Sequence, residues 1–356
     1  MIRSIWKKHF FYQISSVVFL FLAISWALFA LIDYTNRSAA FHSYHFSFQE
    51  IGLYYLFLFL QKIEILLPFA ILIGSIKTLV SLNTKNELLA LLAAGFSLRY
   101  LMRPLLLFIF LMITAVYINF EWGYPYAMRQ IHLLEDSHFQ EKKDDKQPIK
   151  QALLEDGSLL LFHHFNTADL QFNEAYWIKS IDSIYRIRKF HPYALPPYGE
   201  QVDHFERNAK GELLLDPTTQ NVLSQIKINP EDLIQQIFEP KEQPLSNLFE
   251  MLGNSKYTKD RKALITTALL HKLTLPWLCL IVFLLPAPFC LKFTRHLNAF
   301  LIYILSTFTL VAFYLILNAL TTLSNYQVSS PWLAILIPYA ILGIISAYQY
   351  KRLDTK

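Results

Sequence analysis

The chain has 356 residues, of which 54% are hydrophobic and 17% charged, with a formal net charge of +5. Soluble domains carry about a quarter charged residues, so this composition excludes an ordinary soluble globular protein and points to membrane-embedded segments. The charge is also divided: residues 120–255 hold 13 Lys/Arg against 21 Asp/Glu, leaving 19 against 6 elsewhere, and an acidic middle argues against a nucleic-acid partner.

The first apolar run, Phe11–Ile32, exceeds the h-region of a signal peptide and no A-x-A-like site follows it, so it reads as a transmembrane helix. A loop, Asp33–Glu50, is predicted next, with Arg37 just outside the span. The second span, Tyr54–Leu82, contains Gln61, Lys62 and Glu64 with Pro68 beyond. Ionisable groups in hydrocarbon are expensive, so Lys62 and Glu64 are expected to line a polar cavity or touch a partner subunit. They stand two positions apart and face different sides. The plain alternative is a Lys that snorkels to the interface.

Between the second and third spans, Thr84-Lys85-Asn86-Glu87 has capping-box spacing, Thr84 receiving the Glu87 amide and the Glu87 carboxylate reaching back. A short helix over Asn86–Ala94 is predicted, carrying Leu88, Leu89, Leu91 and Leu92, with Gly95 as its stop. It is too apolar for an ordinary linker. Either it docks in a groove of a cytoplasmic ATPase, with Glu87 offered to a basic partner, or it lies in the lipid interface. The third span, Pro104–Phe120, is the shortest.

A polar domain is expected from about Gly123 to Asp260. Arg129 and His132 stand near its start; with Arg37 they are cations at the membrane level that suit lipid phosphates. Asp156-Gly157 signals a hairpin, and strand-like stretches lie at Ser158–Phe165, Ala175–Ser180, Ser183–Phe190, Glu212–Leu215 and Asn221–Ile228, a spacing that suggests a sandwich or jelly roll. Glu141–Lys150 reads as a solvated loop. His163 and His164, adjacent on a strand, face opposite sides and make a poor metal site.

Three more spans follow at Leu273–Leu291, Ala299–Leu320 and Pro331–Tyr350. Cys279 and Cys290, about 16 Å apart along a helix, cannot pair with each other. Six spans put Arg3, Lys7 and Lys8, then Lys85, Arg99 and Arg103, then Lys292 and Arg295, and finally Lys351, Arg352 and Lys356 on one side. By the positive-inside rule both termini are cytoplasmic and the acidic domain is extracytoplasmic. The expected fold is thus an α-helical membrane protein of six transmembrane helices with an extracytoplasmic all-β, jelly-roll-like domain between helices 3 and 4: residues 1–122, 123–260 and 261–356.

With 9 glycines the chain carries no P-loop, no dinucleotide fingerprint, no nucleophile elbow and no H-E-x-x-H. No cofactor, metal or catalytic residue is therefore expected in it.

Glu64-Ile65-Leu66-Leu67-Pro68 through Gly74, and Asn86-Glu87-Leu88 to Ala94-Gly95-Phe96-Ser97, resemble segments of the LptF/LptG family, the permease subunits of the lipopolysaccharide export ABC transporter. Similar features are Glu121-Trp122 with Pro125, and His271-Lys272-Leu273 with Pro276. The endings lean towards the G-type subunit. The resemblance implies a paired permease of the same type, a dimeric cytoplasmic ATPase, periplasmic jelly-roll bridge proteins and lipopolysaccharide as cargo, in the bacterial inner membrane. It makes Thr84, Glu87, Leu88, Leu91 and Gly95 the coupling segment and the first and fifth spans lateral gates. Arg37, Lys62, Glu64, Arg129 and His132 become candidates for the lipid cavity. The chain departs from the family in having apolar Leu28–Ile32 where a Lys is common, and His132 and Glu135 where the G-type has two Arg. Two rivals remain at this point: a mechanotransmitting permease that moves no lipid, and an intramembrane enzyme acting on a lipid-linked substrate.

Overall fold

The computed structural model describes residues 2–138, 150–154, 156–166, 169–194, 196–208, 213–216, 226, 233, 237–253, 257, 259–291 and 298–351. The chain divides into two compact units, one of Met1–Ser38, Tyr55–Pro125 and Pro244–Lys356, the other of Ala39–Tyr54 and Tyr126–Gln243.

The first unit is a helix bundle. Its elements are α1 (Ile2–Ser43), α2 (Phe48–Thr84), the short α3 (Glu87–Ala93), α4 (Leu98–Ile118), a π turn (Asn119–Gly123) leading into α5 (Tyr124–His138), α6 (Leu245–Gly253), α7 (Lys259–Leu284), α8 (Ala287–Leu291), α9 (Ala299–Asn325) and α10 (Pro331–Lys351); α1, α2 and α5 run on into the second unit. Among the described residues six helical segments are long and apolar enough to cross a membrane, as helices must be where no water satisfies the backbone. They exceed the apolar runs. α1 continues to Ser43 and α2 starts at Phe48, so the predicted Asp33–Glu50 loop shrinks to 44–47 and Arg37 stands on a helix. Backbone hydrogen bonding, once begun, propagates into the polar flanks.

Burial among the spans is uneven. Half or more of the apolar window is buried in the third and fourth spans (50% and 56%), against 17% in the first and 22% in the fifth. The core is therefore built on α4 and α7, with Phe108, Ile109, Phe120, Leu278 and Phe283 almost wholly enclosed. α1 and α9 instead present large apolar side chains outward, among them Leu28, Leu31, Phe308 and Leu315. α1 and α2 cross closely at Gly74, where an added Cβ would lie 2.5 Å from Val18 Cγ2.

The second unit holds one six-stranded antiparallel sheet in sequential order: β1 (Lys150–Leu153), β2 (Leu159–Asn166), β3 (Gln171–Ser180), β4 (Ser183–His191), β5 (Tyr198–Arg207) and β6 (Leu213–Asp216). The hairpin at Asp156-Gly157 is present: the Gly157 amide donates to Leu154 O, and Ser158 N and Oγ both donate to Asp156 Oδ1. The described strands form a meander without crossover, the topology expected of up-and-down hairpins. Glu141–Pro148 and most of Asn221–Ile228 lie outside the described residues, as do Lys292, Arg295, Arg352 and Lys356.

One face of this sheet carries Leu160, Phe162, Phe172, Ala175, Trp177, Ile187, Phe190 and Val202, joined by Ile226, Leu233 and Ile237. Strict alternation would not turn both Phe172 and Ala175 inward. Glu174 (φ +51°) and Gln201 (φ +53°) take left-handed backbone between these positions, and Arg188, lying between them in register, donates to Gln201 Oε1 at 2.6 Å and faces Glu174 Oε1 at 3.7 Å. The inward face shifts by one residue across this point while the pairing register of the strands stays continuous.

Candidate functional site

Three groups of residues bear on function, and the first is α3. The capping box does not form. Thr84 is still in α2 and its hydroxyl donates to Ser81 O at 3.2 Å, while Asn86 takes a left-handed φ of +57° and makes no side-chain cap. That conformation removes the extended N-cap geometry a capping box requires. The other end is as predicted: Gly95 N donates to Leu92 O and Phe96 N to Leu91 O, the two bonds of a Schellman stop, with Gly95 at φ +82°. Leu88 turns inward (4% exposed) and Leu91 is half-buried, whereas Leu89 and Leu92 are 45% and 40% exposed beside the partly exposed Glu87. The outward apolar pair is thus Leu89 and Leu92.

The segments flanking this helix are fastened to one end of the bundle. Asn83 Nδ2 donates to Cys290 O (3.0 Å) in α8, Arg99 Nη2 donates to Lys351 O (2.9 Å) at the end of α10, and Phe96 and Tyr100 pack on Trp6 of α1. Five span ends therefore meet beside α3, and the cations Lys7, Lys85, Arg99, Arg103 and Lys351 share that end.

The second group lies in the spans. Pro68 has no N–H, so the carbonyl of Glu64, four residues earlier, lacks its helical donor; the Tyr314 hydroxyl of α9 donates to it at 3.2 Å, and Phe69 stacks on the same ring. Lys62 points elsewhere, its Nζ 5.9 Å from the Phe29 ring of α1.

The third group is the proposed headgroup cations, which prove largely engaged. Arg37 pairs with Asp33 at 3.4 Å, and Asp33 also receives the Tyr55 hydroxyl. In the second unit, His132 Nε2 lies 3.4 Å from Glu242 Oε2 with its ring against Phe238, while Arg129 is exposed. Nearby, burial opposes ionisation of Glu239, yet the Lys241 ammonium at 2.8 Å, backed by Lys150 and His132, holds its carboxyl below the usual range.

The family described as lipopolysaccharide export system permease LptF/LptG matches residues 8–352. The chain belongs to the LptF/LptG family. No curated protein matches it. Family membership agrees with the six apolar helices and the inserted antiparallel sheet, the arrangement of a multi-pass membrane permease.

Sequence reasoning named Glu121 and Lys272 in this LptF/LptG chain only for their likeness to the family and missed the cluster that forms around them. Lys272, only 3% exposed, places its Nζ 4.9 Å from the Tyr124 ring centre and 5.5 Å from that of Phe120. Phe120 lies in the π turn and Tyr124 directly follows it, and Asn119 Nδ2 of the same turn donates to Leu60 O in α2. Glu121, in the same turn, accepts from Ser246 N (3.2 Å) and Ser246 Oγ (2.5 Å) at the start of α6. A lysine among the apolar residues of the fourth span was the available signal. Among the described residues no group of three His, Cys, Asp or Glu is placed to hold a metal.

Proposed function

We propose that this chain is one of two permease subunits that extract lipopolysaccharide from the inner membrane and pass it to a periplasmic bridge of jelly-roll proteins. The basic end of the bundle is cytoplasmic, by the positive-inside rule, and the sheet domain is periplasmic. ATP is hydrolysed in a separate dimeric ATPase. The observation that carries this reading is the near-complete family match, joined to a short helix at the basic end that presents Leu89, Leu92 and Glu87 outward.

In this mechanism the ATPase holds α3 in a groove, apolar contact coming from Leu89 and Leu92 and the charge contact from Glu87. Closure of the ATPase dimer pushes α3. Because the segments flanking α3 are held to the other helices, Asn83 of α2 to α8, Arg99 of α4 to α10 and Phe96 to α1, the push reaches both halves of the bundle as a rigid-body shift. The outward apolar faces of α1 and α9 meet acyl chains or the paired permease, which makes them the lateral gates of a shared cavity. Narrowing of that cavity drives the lipid outward, and the sheet domain joins the bridge that receives it.

The test is Glu87→Ala combined with Leu92→Glu, followed by co-purification with the ATPase and ATP-driven lipid release. Loss of the ATPase together with release supports the reading. Unchanged docking and release would refute it.

A further inference from the structure

At the basic end of the helix bundle, an open cleft of about 570 Å³ lies between the start of α1 and the first turns of α4. Lys7, Lys8 and Arg103 line it on the polar side, and Phe11, Pro104 and Leu107 on the apolar side. Among its lining residues there is no carboxylate. Two of the cations converge on one ring from the two helices that wall the cleft, Lys7 Nζ of α1 at 5.0 Å and the Arg103 guanidinium of α4 at 5.1 Å from the centre of Tyr100. Beyond it the surface is continuously apolar: Leu107, Phe110 and Leu111 of α4 and Phe19 of α1 are all exposed.

We propose that this cleft binds an anionic phospholipid of the surrounding bilayer, its phosphodiester held by Lys7, Lys8 and Arg103 and an acyl chain lying against Phe11 and Leu107. The two halves of the cleft call for the two halves of such a molecule. Three cations without an acid select a phosphate, and an apolar wall that opens onto the lipid-facing side of two spans selects a chain that a soluble phosphate lacks. A basic pocket between helices at this level is the physical form that anionic lipid sites take. The bound lipid would be resident at the basic end, distinct from the exported cargo, and would tie α1 to α4.

The experiment uses the full-length chain in the complex in which it is extracted, placed in phosphatidylcholine nanodiscs with a minority of phosphatidylglycerol, and counts retained lipids by native mass spectrometry. Wild type retains phosphatidylglycerol over phosphatidylcholine. Lys7→Gln/Lys8→Gln/Arg103→Gln loses that retention about tenfold or more, whereas Lys77→Gln/Lys85→Gln keeps it. An equal loss in both variants, or none in the first, overturns the proposal. Displacement of the retained lipid by inorganic phosphate marks a free-anion site, and displacement by lipopolysaccharide a cargo site; either overturns it as well. Should the triple variant fail to fold, photoactivatable phosphatidylglycerol on the wild type decides: adducts at Phe11, Tyr12 or Leu107 support the site, and adducts spread elsewhere refute it.

Discussion

The hydroxyl of Tyr314 donates to the backbone carbonyl of Glu64, 250 positions away in the chain, at 3.2 Å. That carbonyl is the one Pro68 leaves without a helical donor, so a break in α2 is mended by a side chain from α9. The fifth span, otherwise mostly exposed, is thereby anchored at a point that moves only if this bond opens. Tyr314→Phe is expected to cost about 1 kcal/mol, to lower the melting temperature of the purified chain slightly and to raise amide exchange around residue 64. If the fifth span is a gate, the same variant should also raise ATP hydrolysis per lipid released.

The two faces of α3 separate stability from docking. Leu88→Ala removes a side chain that is 4% exposed and should cost about 2–4 kcal/mol, read as a lower melting temperature. Leu89→Asp touches the outward face and should leave the melting temperature nearly unchanged while ATPase co-purification falls. The reverse pattern would place the docking face on the other side of the helix.

At Gly74 the helices α1 and α2 meet with no room for a side chain, because Val18 Cγ2 stands 2.5 Å from the position of an added Cβ and the Val18 backbone is only 3.4 Å away. Gly74→Leu must separate the helices, and overpacking of this kind costs about 1–3 kcal/mol or more. The expected result is poor accumulation in the membrane, measured by quantitative blotting. Gly52→Ala, where nothing lies within 4 Å, should accumulate normally.

In the sheet, Trp177 Nε1 donates to Ser158 Oγ at 2.8 Å, and both residues are buried. Trp177→Phe keeps an aromatic ring but leaves the Ser158 hydroxyl without this donor, at a cost of about 1–3 kcal/mol. Hydrogen exchange should accelerate in β2 and β3 before it changes in α4 or α7.

Hydrophobic length alone placed the six spans, because it records transfer out of water whether or not a side chain packs in the bundle, and β-branched and aromatic runs placed β2, β3, β4 and β6, because they fill the packed face of the sheet. β5 was not foreseen: Tyr198–Arg207 carries Glu200, Gln201, Asp203 and Glu206, and is held as a strand by its neighbours β4 and β6 rather than by its own composition. The Gly95 stop was legible since only the local backbone decides it. The capping box was not, because Thr84 remains in a long helix that tertiary packing extends. Which leucines of α3 face outward depends on contacts with the rest of the bundle. The pairing of Arg37 with Asp33 follows an i,i+4 spacing that was open to view once the helix was known to continue.

Reconstitution offers the most direct measurement. The chain, its paired permease and the ATPase are placed in proteoliposomes containing lipopolysaccharide, and transfer of lipid to a soluble bridge protein is followed after ATP is added. Transfer that requires ATP and this chain, and that falls with Glu87→Ala/Leu92→Glu, is the expected result. Vigorous ATP hydrolysis in the complete complex with no lipid leaving the membrane would contradict a role in export.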